Sequence, residues 1–239
     1  MSARAEVLKE RRAGSSKLSK AAARTNHEEL VELHQQMCAA HCAVAEVFLT
    51  DLCDEPDAEQ RCEAAVQQAL SLAEASPAAR AEALQALANL RLSQSRRVDA
   101  CTALEEVATL TAAAVDSGDI ALLPTHEFRT TTAKLLLEAE MPDSACDVLE
   151  QLLLEDEESA ELRYLAALAA VRASDQEAAL RHLEWREEQL RMRPTSECAQ
   201  ELQEWAESFE QVKQLLQECT ATAAGDEEGV GSDRMDDAE

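Results

Sequence analysis

Small residues recur along this chain at fixed distances from larger apolar ones, with the spacing of helix faces. The clearest instance runs from Arg80 to Leu110 and reads "RAEALQALANLRLSQSRRVDACTALEEVATL". Ala88 lies in its first helical stretch and Ala100 in its second, and a polar turn separates the two. A small side chain lets two helix backbones approach closely, so the pattern predicts a hairpin of two packed helices.

The same frame fits further segments, so we expect about four hairpins. The small residue of the second helix recurs at intervals of 38, 45 and 34 residues, at Cys62, Ala100, Ala145 and Ala179. The matching first-helix residues are Ala45, Ala88, Ala133 and Ala167. Stacked helix hairpins of about this length are typical of tetratricopeptide repeats, which build solenoids.

An amphipathic segment follows the last hairpin. Its apolar residues are spaced three or four apart and are Cys198, Leu202, Trp205, Phe209, Val212 and Leu216. A repeat stack must end in an element with a polar outer face, so we expect a capping helix here. The predicted fold is an all-α, tetratricopeptide-like solenoid over residues 26–218, without a β-sheet.

The two ends differ from the body in composition. Residues 1–25 lack apolar periodicity, and we expect a disordered basic arm that could serve nuclear import or other targeting. Asn26 offers an N-cap with Glu29 three residues later, which predicts the start of the first helix. Residues 219–239 combine Gly with a run of acids, and we expect a disordered tail there.

Net charge is the strongest indication of a partner. The chain carries −26 in total and residues 1–24 are net +5, so the remainder carries −31. Such a surface repels nucleic acid and attracts a polypeptide rich in Lys and Arg. The alternative is that the charge serves solubility alone. We expect no direct contact with nucleic acid, and none with a membrane because the apolar runs are too short to span one.

Eight cysteines raise the question of a metal or redox site. The chain lacks a recognisable secretory signal, so we expect an intracellular protein with reduced thiols. His34, Cys38, His41 and Cys42 are at helical spacing and could collect a zinc ion. Strong zinc motifs, however, pair two ligand-bearing turns, whereas these residues share one helix. Buried cysteines behave as small hydrophobic residues, so we expect packing, with no metal and no cofactor.

Motifs of catalysis are missing from the sequence. It contains no Gly-rich phosphate loop and no nucleophile elbow, and the five His have no Ser or Asp partner at a motif spacing. We therefore expect no enzyme. An enzyme or metal protein with unfamiliar motifs stays an alternative.

Four segments together carry a family resemblance. They are "CAVAEVFLTDLCDEPDAEQRCEAAVQQAL", "EALQALANLRLSQSR", "LPTHEFRTTTAKLLLE" and "AELRYLAALA", in this order. From about Cys38 to Glu218 the chain resembles the tetratricopeptide-repeat assembly chaperones dedicated to the fourth large-subunit ribosomal protein. The motif "TDLC" followed by acids is the most specific part. The family pattern has further hairpins before Cys42, where this chain has the helix from Asn26 and the basic arm.

The resemblance implies a dedicated chaperone in the cytoplasm and nucleus. Such a protein captures the newly made ribosomal protein, shields its long basic loop and escorts it to pre-ribosome assembly. The alternative is a generic tetratricopeptide-repeat adaptor that binds another peptide.

Candidate contact residues follow if the first helices of the hairpins line a binding groove, as in repeat solenoids generally. They are Glu46, Asp51, Gln85, Asn89, Glu127, Arg129, Glu138 and Tyr164. Each has an alternative: Arg129 could be an ordinary intramolecular ion-pair partner, Tyr164 a packing residue, and the acids a solvated face.

Overall fold

The structure, a computed structural model, describes residues 6–7, 20–118, 122–193 and 197–228. The regular elements in these ranges are α-helices and one short 3-10 helix, without a strand. The all-α prediction is thereby confirmed. None of the helices in the described ranges is both long and apolar enough to cross a bilayer.

Helices follow one another with short connections. The first four are α1 (Lys20–Leu49), α2 (Ala58–Leu72), α3 (Pro77–Ser93) and α4 (Arg97–Asp116), with the 3-10 turn Ala73–Ala75 after α2. The next four are α5 (His126–Glu138), α6 (Pro142–Glu155), α7 (Ala160–Arg172) and α8 (Gln176–Met192). The last two are α9 (Glu197–Glu204) and α10 (Ala206–Glu228). The chain divides into two compact units between Phe128 and Arg129.

The first unit contains two hairpins. Helix α1 packs along α2 and α3 along α4, while α3 also contacts both helices of the first hairpin. The predicted small residues lie in these contacts: Ala45 is 1% exposed, and Cys62, Ala88 and Ala100 are 0% exposed. The Cys62 thiol donates to the Ala45 carbonyl, with the sulfur 3.5 Å from the oxygen. Small side chains thus stand where the backbones come close.

The second unit repeats this arrangement. Arg129 at the start of α5 pairs with Glu155 at the end of α6, so these two helices run antiparallel. Helix α7 contacts α6, α8 and α10. The predicted small residues are again fully buried, namely Ala133, Ala145, Ala167 and Ala179. A core beneath α10 contains the predicted stripe residues Leu202, Phe209, Val212 and Leu216.

Three hairpins share one turn geometry. Ser95, Glu140 and Ser174 follow the first helix of their hairpins with φ of 58°, 60° and 63°. At each turn the next backbone N–H donates to a carbonyl five residues earlier, as in Arg96 to Arg91 at 2.8 Å. A left-handed residue closed by this bond is the Schellman ending of a helix. Its recurrence without Gly supports the repeat relation between the hairpins.

Helix boundaries differ from the predicted ones in three places. Helix α1 begins at Lys20 instead of Asn26, because Ala21 to Ala23 are strong helix formers. The predicted capping helix is interrupted at Trp205, and the apolar spacing runs through this break unchanged, so periodicity cannot reveal it. Helix α10 extends to Glu228, beyond residue 218. Most of the predicted arm and half of the predicted tail lie outside the described residues, and their disorder stays a prediction.

Candidate partner-binding surface

The candidate contact residues lie on or next to the first helices of the hairpins. Glu46 is on α1, Asp51 follows α1, Gln85 and Asn89 are on α3, Glu127, Arg129 and Glu138 are on α5, and Tyr164 is on α7. They fall into three groups, which are exposed acids, half-buried amides and side chains engaged inside the protein.

The four candidate acids are all exposed. They are Glu46, Asp51, Glu127 and Glu138. Among the described residues none of them forms an ion pair. A hydrated carboxylate without an internal cation keeps its full charge available to a cationic partner.

The loop between α1 and α2 adds acids that the candidate set missed. Every residue from 50 to 57 is exposed, and Asp54 and Glu55 stand there beside Asp51. Only Asp57 approaches a cation within this loop region, with Arg61 Nε 4.0 Å away. The Arg61 guanidinium instead stacks over the Phe48 ring, 4.4 Å from its centroid. The run "CDEPD" was the sequence signal for this exposed acidic loop.

Gln85 and Asn89 stand one helical turn apart on α3 and are half-buried. The Gln85 amide nitrogen donates to the carbonyl of Phe128, the last residue of the first unit, at 2.9 Å. The Gln85 side chain therefore makes a contact within the first unit. The amide side chains still reach the surface.

Arg129 and Tyr164 are engaged within the second unit, which is the alternative stated for each from the sequence. Arg129 is 3% exposed and donates two hydrogen bonds to Glu155, at 2.8 and 2.7 Å. The Tyr164 ring packs against Trp205 at 5.2 Å and edge-on against Phe209 at 6.0 Å. These contacts support packing of the hairpins; Arg129 is almost inaccessible to a partner, whereas Tyr164 is half-buried.

The cysteines of α1 are placed in packing contacts. Cys38 is fully buried, and its sulfur lies 3.4 Å from the Ala79 carbonyl of α3. A hydrogen bond from the Cys42 thiol lowers the pKa of Cys38, and the same bond raises the pKa of Cys42. In the part of the chain that the structure describes, no group of three or more His, Cys, Asp or Glu is arranged to hold a metal ion.

Helix hairpins with buried small residues and acid-bearing first helices define a tetratricopeptide-like helical repeat protein. A solved structure titled "Assembly Chaperone of RpL4 (Acl4)" superposes with a TM-score of 0.64 at 31% sequence identity, over 75% of this chain and 60% of that one. No family model matches the chain.

Two curated relatives carry the same description. A protein of Schizosaccharomyces pombe named "Probable assembly chaperone of rpl4" is 40% identical over 139 residues, which are 57% of this chain and 39% of that protein. One of Emericella nidulans with the same name is 39% identical over 111 residues, 46% of this chain and 27% of that protein. The matches confirm the resemblance found in the sequence. They span well under half the length of these relatives.

Proposed function

We propose that this protein is a dedicated chaperone for the fourth ribosomal protein of the large subunit. It binds and shields a basic, extended loop of that client and escorts it to pre-ribosome assembly, working in the cytoplasm and the nucleus. The observation that carries the proposal is the agreement of the matched relatives and the solved structure in their names. All three are called assembly chaperones of rpl4.

Charge supports a basic client independently of the names. The body of the chain carries −31, and the four exposed candidate acids, Glu46, Asp51, Glu127 and Glu138, form no ion pair among the described residues. Ribosomal proteins that contact RNA must be rich in Lys and Arg, because those residues neutralise phosphates. An acidic chaperone attracts such a chain and repels competing RNA until the client is handed over.

The client contacts the exposed carboxylates of the first helices. In the first unit the strongest candidates are Glu46 and Asp51 with their neighbours Asp54 and Glu55, where four negative charges are close in sequence and open to solvent. An extended segment can place successive Lys or Arg side chains against such a row without folding. Each exposed contact contributes little, so affinity arises from their number.

The proposal is tested by measuring the affinity of the full chain for the ribosomal protein with and without its internal loop. Binding that depends on the loop and on low ionic strength supports the chaperone. Strong binding to some other peptide, without affinity for this client, favours a generic adaptor.

A further inference from the structure

The first helix carries an apolar face that meets solvent. Val44 is 45% exposed and Val47 39% exposed, and the Ala side chains at positions 40 and 43 beside them are exposed as well. Leu52, 38% exposed, lies next to this face because its backbone N–H donates to the Val47 carbonyl at 2.9 Å. Positions 40, 43, 44 and 47 are spaced three, one and three apart, so they form one side of the helix. We call this side the outer face of α1.

The equivalent face of the next hairpin, formed by α3 and α4, contacts another helix. Ala45 of α1 and Ala88 of α3 hold equivalent places, 43 residues apart. The same offset relates the four positions of the outer face of α1 to Ala83, Ala86, Leu87 and Leu90 of α3. In α3 these residues pack against the first hairpin, with Ala83 at 0% and Leu90 at 1% exposure.

The equivalent face of α3 is thus covered by a helix. Its neighbours in the two core clusters include Ala65, Val66 and Ala69, which all belong to α2. An apolar face at equivalent positions of two repeats, covered by a helix on α3 and exposed on α1, is the pattern expected of a helix-docking surface.

Charge defines the edge of the outer face. Glu32 and Glu46 are both exposed and lie along one side of it, since positions 32, 36, 39 and 46 follow a helical row. Asp51 is exposed in the loop that follows α1. Neither glutamate forms an ion pair with a described residue.

We propose that the outer face of α1 binds an amphipathic helix of a partner protein, with small and branched apolar residues on one side and Lys or Arg along one flank. The partner helix packs on α1 as α2 packs on α3, and its basic flank meets Glu32, Glu46 and Asp51. This surface shares Glu46 and Asp51 with the acids proposed for the extended client, and it differs in the apolar contact with Val44 and Val47, which does not depend on the identity of that client.

A second copy of this chain fits the face poorly. Antiparallel pairing of two α1 helices about Ala43 would place Glu32 of one copy near Asp54 of the other. Like charges at such a contact destabilise it, and each copy already carries a large negative charge. A basic helix would bring neither like charges opposite Glu32 nor the large negative charge of a second copy.

The test uses a fluorescein-labelled synthetic peptide of about four helical turns, with Leu and Ala on one side and Lys along one flank, and a scrambled peptide of the same composition. Fluorescence anisotropy with the full-length protein should show saturable binding of the first peptide. The double variant Val44→Asp/Val47→Asp should weaken it by about tenfold or more, since it places charge in an apolar contact. The matched control is Val98→Asp/Val115→Asp on α4, whose valines are 80% and 40% exposed, and it should bind like the wild type.

Circular dichroism checks that both variants keep their helix content, which exposed positions should allow. Equal affinity of the Val44→Asp/Val47→Asp variant, or equal binding of the scrambled peptide, overturns the proposal. So does a wild-type dimer in sedimentation that this variant converts to monomer, because the occupant would then be a second copy. Tighter peptide binding after Leu8→Asp/Leu18→Asp would show that the basic arm itself covers the face, and this also overturns the proposal.

Discussion

The Cys62 thiol donates a hydrogen bond to the Ala45 backbone carbonyl, across 3.5 Å from sulfur to oxygen. Both residues are buried between α1 and α2, and burial raises the pKa of Cys62. Cys62 therefore serves as a small side chain with a weak donor, in the place that Ala occupies in the other hairpins. The burial of small side chains between paired helices is the basis of the next two predictions, on overpacking and on thiol reactivity.

Overpacking the small residues should destabilise the fold. Ala88→Leu and Ala100→Leu each add bulk at a position with 0% exposure, and each should lower the free energy of unfolding by about 1–3 kcal/mol. Urea titration followed by circular dichroism measures the change. Ala112→Leu, at an exposed position of α4, is the matched control and should change little. If both buried variants unfold at the same urea concentration as the wild type, the repeat register is wrong.

Thiol reactivity should divide the cysteines by burial. Cys53 and Cys219 are exposed and should be alkylated rapidly in the native protein, whereas Cys38 and Cys62 are 0% exposed and should react only after unfolding. Pulse alkylation with and without denaturant, read by peptide mass spectrometry, gives the result. Rapid native labelling of Cys62 would contradict its packing role.

Acid should destabilise the second unit through His182. Burial, with help from Arg163 and Arg181, lowers the pKa of His182 from 6.5 to about 4. Between these values the unfolded chain takes up a proton that the folded chain does not, so stability is full above about pH 6.5 and falls as the pH drops towards 4. The slope should approach ~1.4 kcal/mol per pH unit.

Unfolding curves for the wild type and His182→Gln between pH 7 and 4.5 check this, because the variant should lose that part of the slope. The exposed His126 provides the control, and His126→Gln should keep the slope. An unchanged slope in His182→Gln would show that other groups cause the acid sensitivity.

Glycine should relieve the hairpin turn. Ser95 has φ of 58°, a left-handed conformation that costs a side chain about 1–2 kcal/mol and Gly nothing comparable. After allowance for the greater entropy of Gly in the unfolded chain, Ser95→Gly should raise stability by about 0.5–1 kcal/mol, and Ser95→Val should lower it. Thermal melts of the three proteins decide, and a lower midpoint for Ser95→Gly would contradict the turn geometry.

The spacing of small residues was enough to predict the hairpins, because close helix packing admits few residue types at these positions. Cys62, Ala100, Ala145 and Ala179 all proved to be buried. The left-handed conformation of the turns was not predicted, since Ser95 and its equivalents take a conformation usually marked by Gly or Asn. Single-sequence patterns carry no signal for such a choice.

The contact residues were harder to predict than the fold. Residues of the first helices can face a partner or a neighbouring helix, and spacing alone does not separate these cases. Arg129 lies on α5 among exposed acids but is held by Glu155 from α6, a pairing between residues 26 positions apart. Spacing also does not show that Val44 and Val47 of α1 are exposed, because apolar residues at the equivalent positions of α3 pack against the first hairpin.

We propose that the exposed acids on α1 and in the loop after it capture a basic loop of the fourth large-subunit ribosomal protein. Binding should weaken as salt is added, because exposed charges interact over about 8 Å at physiological ionic strength. Glu46→Lys/Asp51→Lys should weaken capture, mainly by slowing association. Glu105→Lys/Asp116→Lys on α4 changes the net charge equally and is the matched control, with little effect expected.

Capture of the loop is measured by isothermal titration of the purified full chain with this ribosomal protein at low salt, with its internal loop present and then deleted. We expect stoichiometric binding with the loop and a large loss of affinity without it. No measurable binding to the intact client, or equal affinity for both forms, would contradict it.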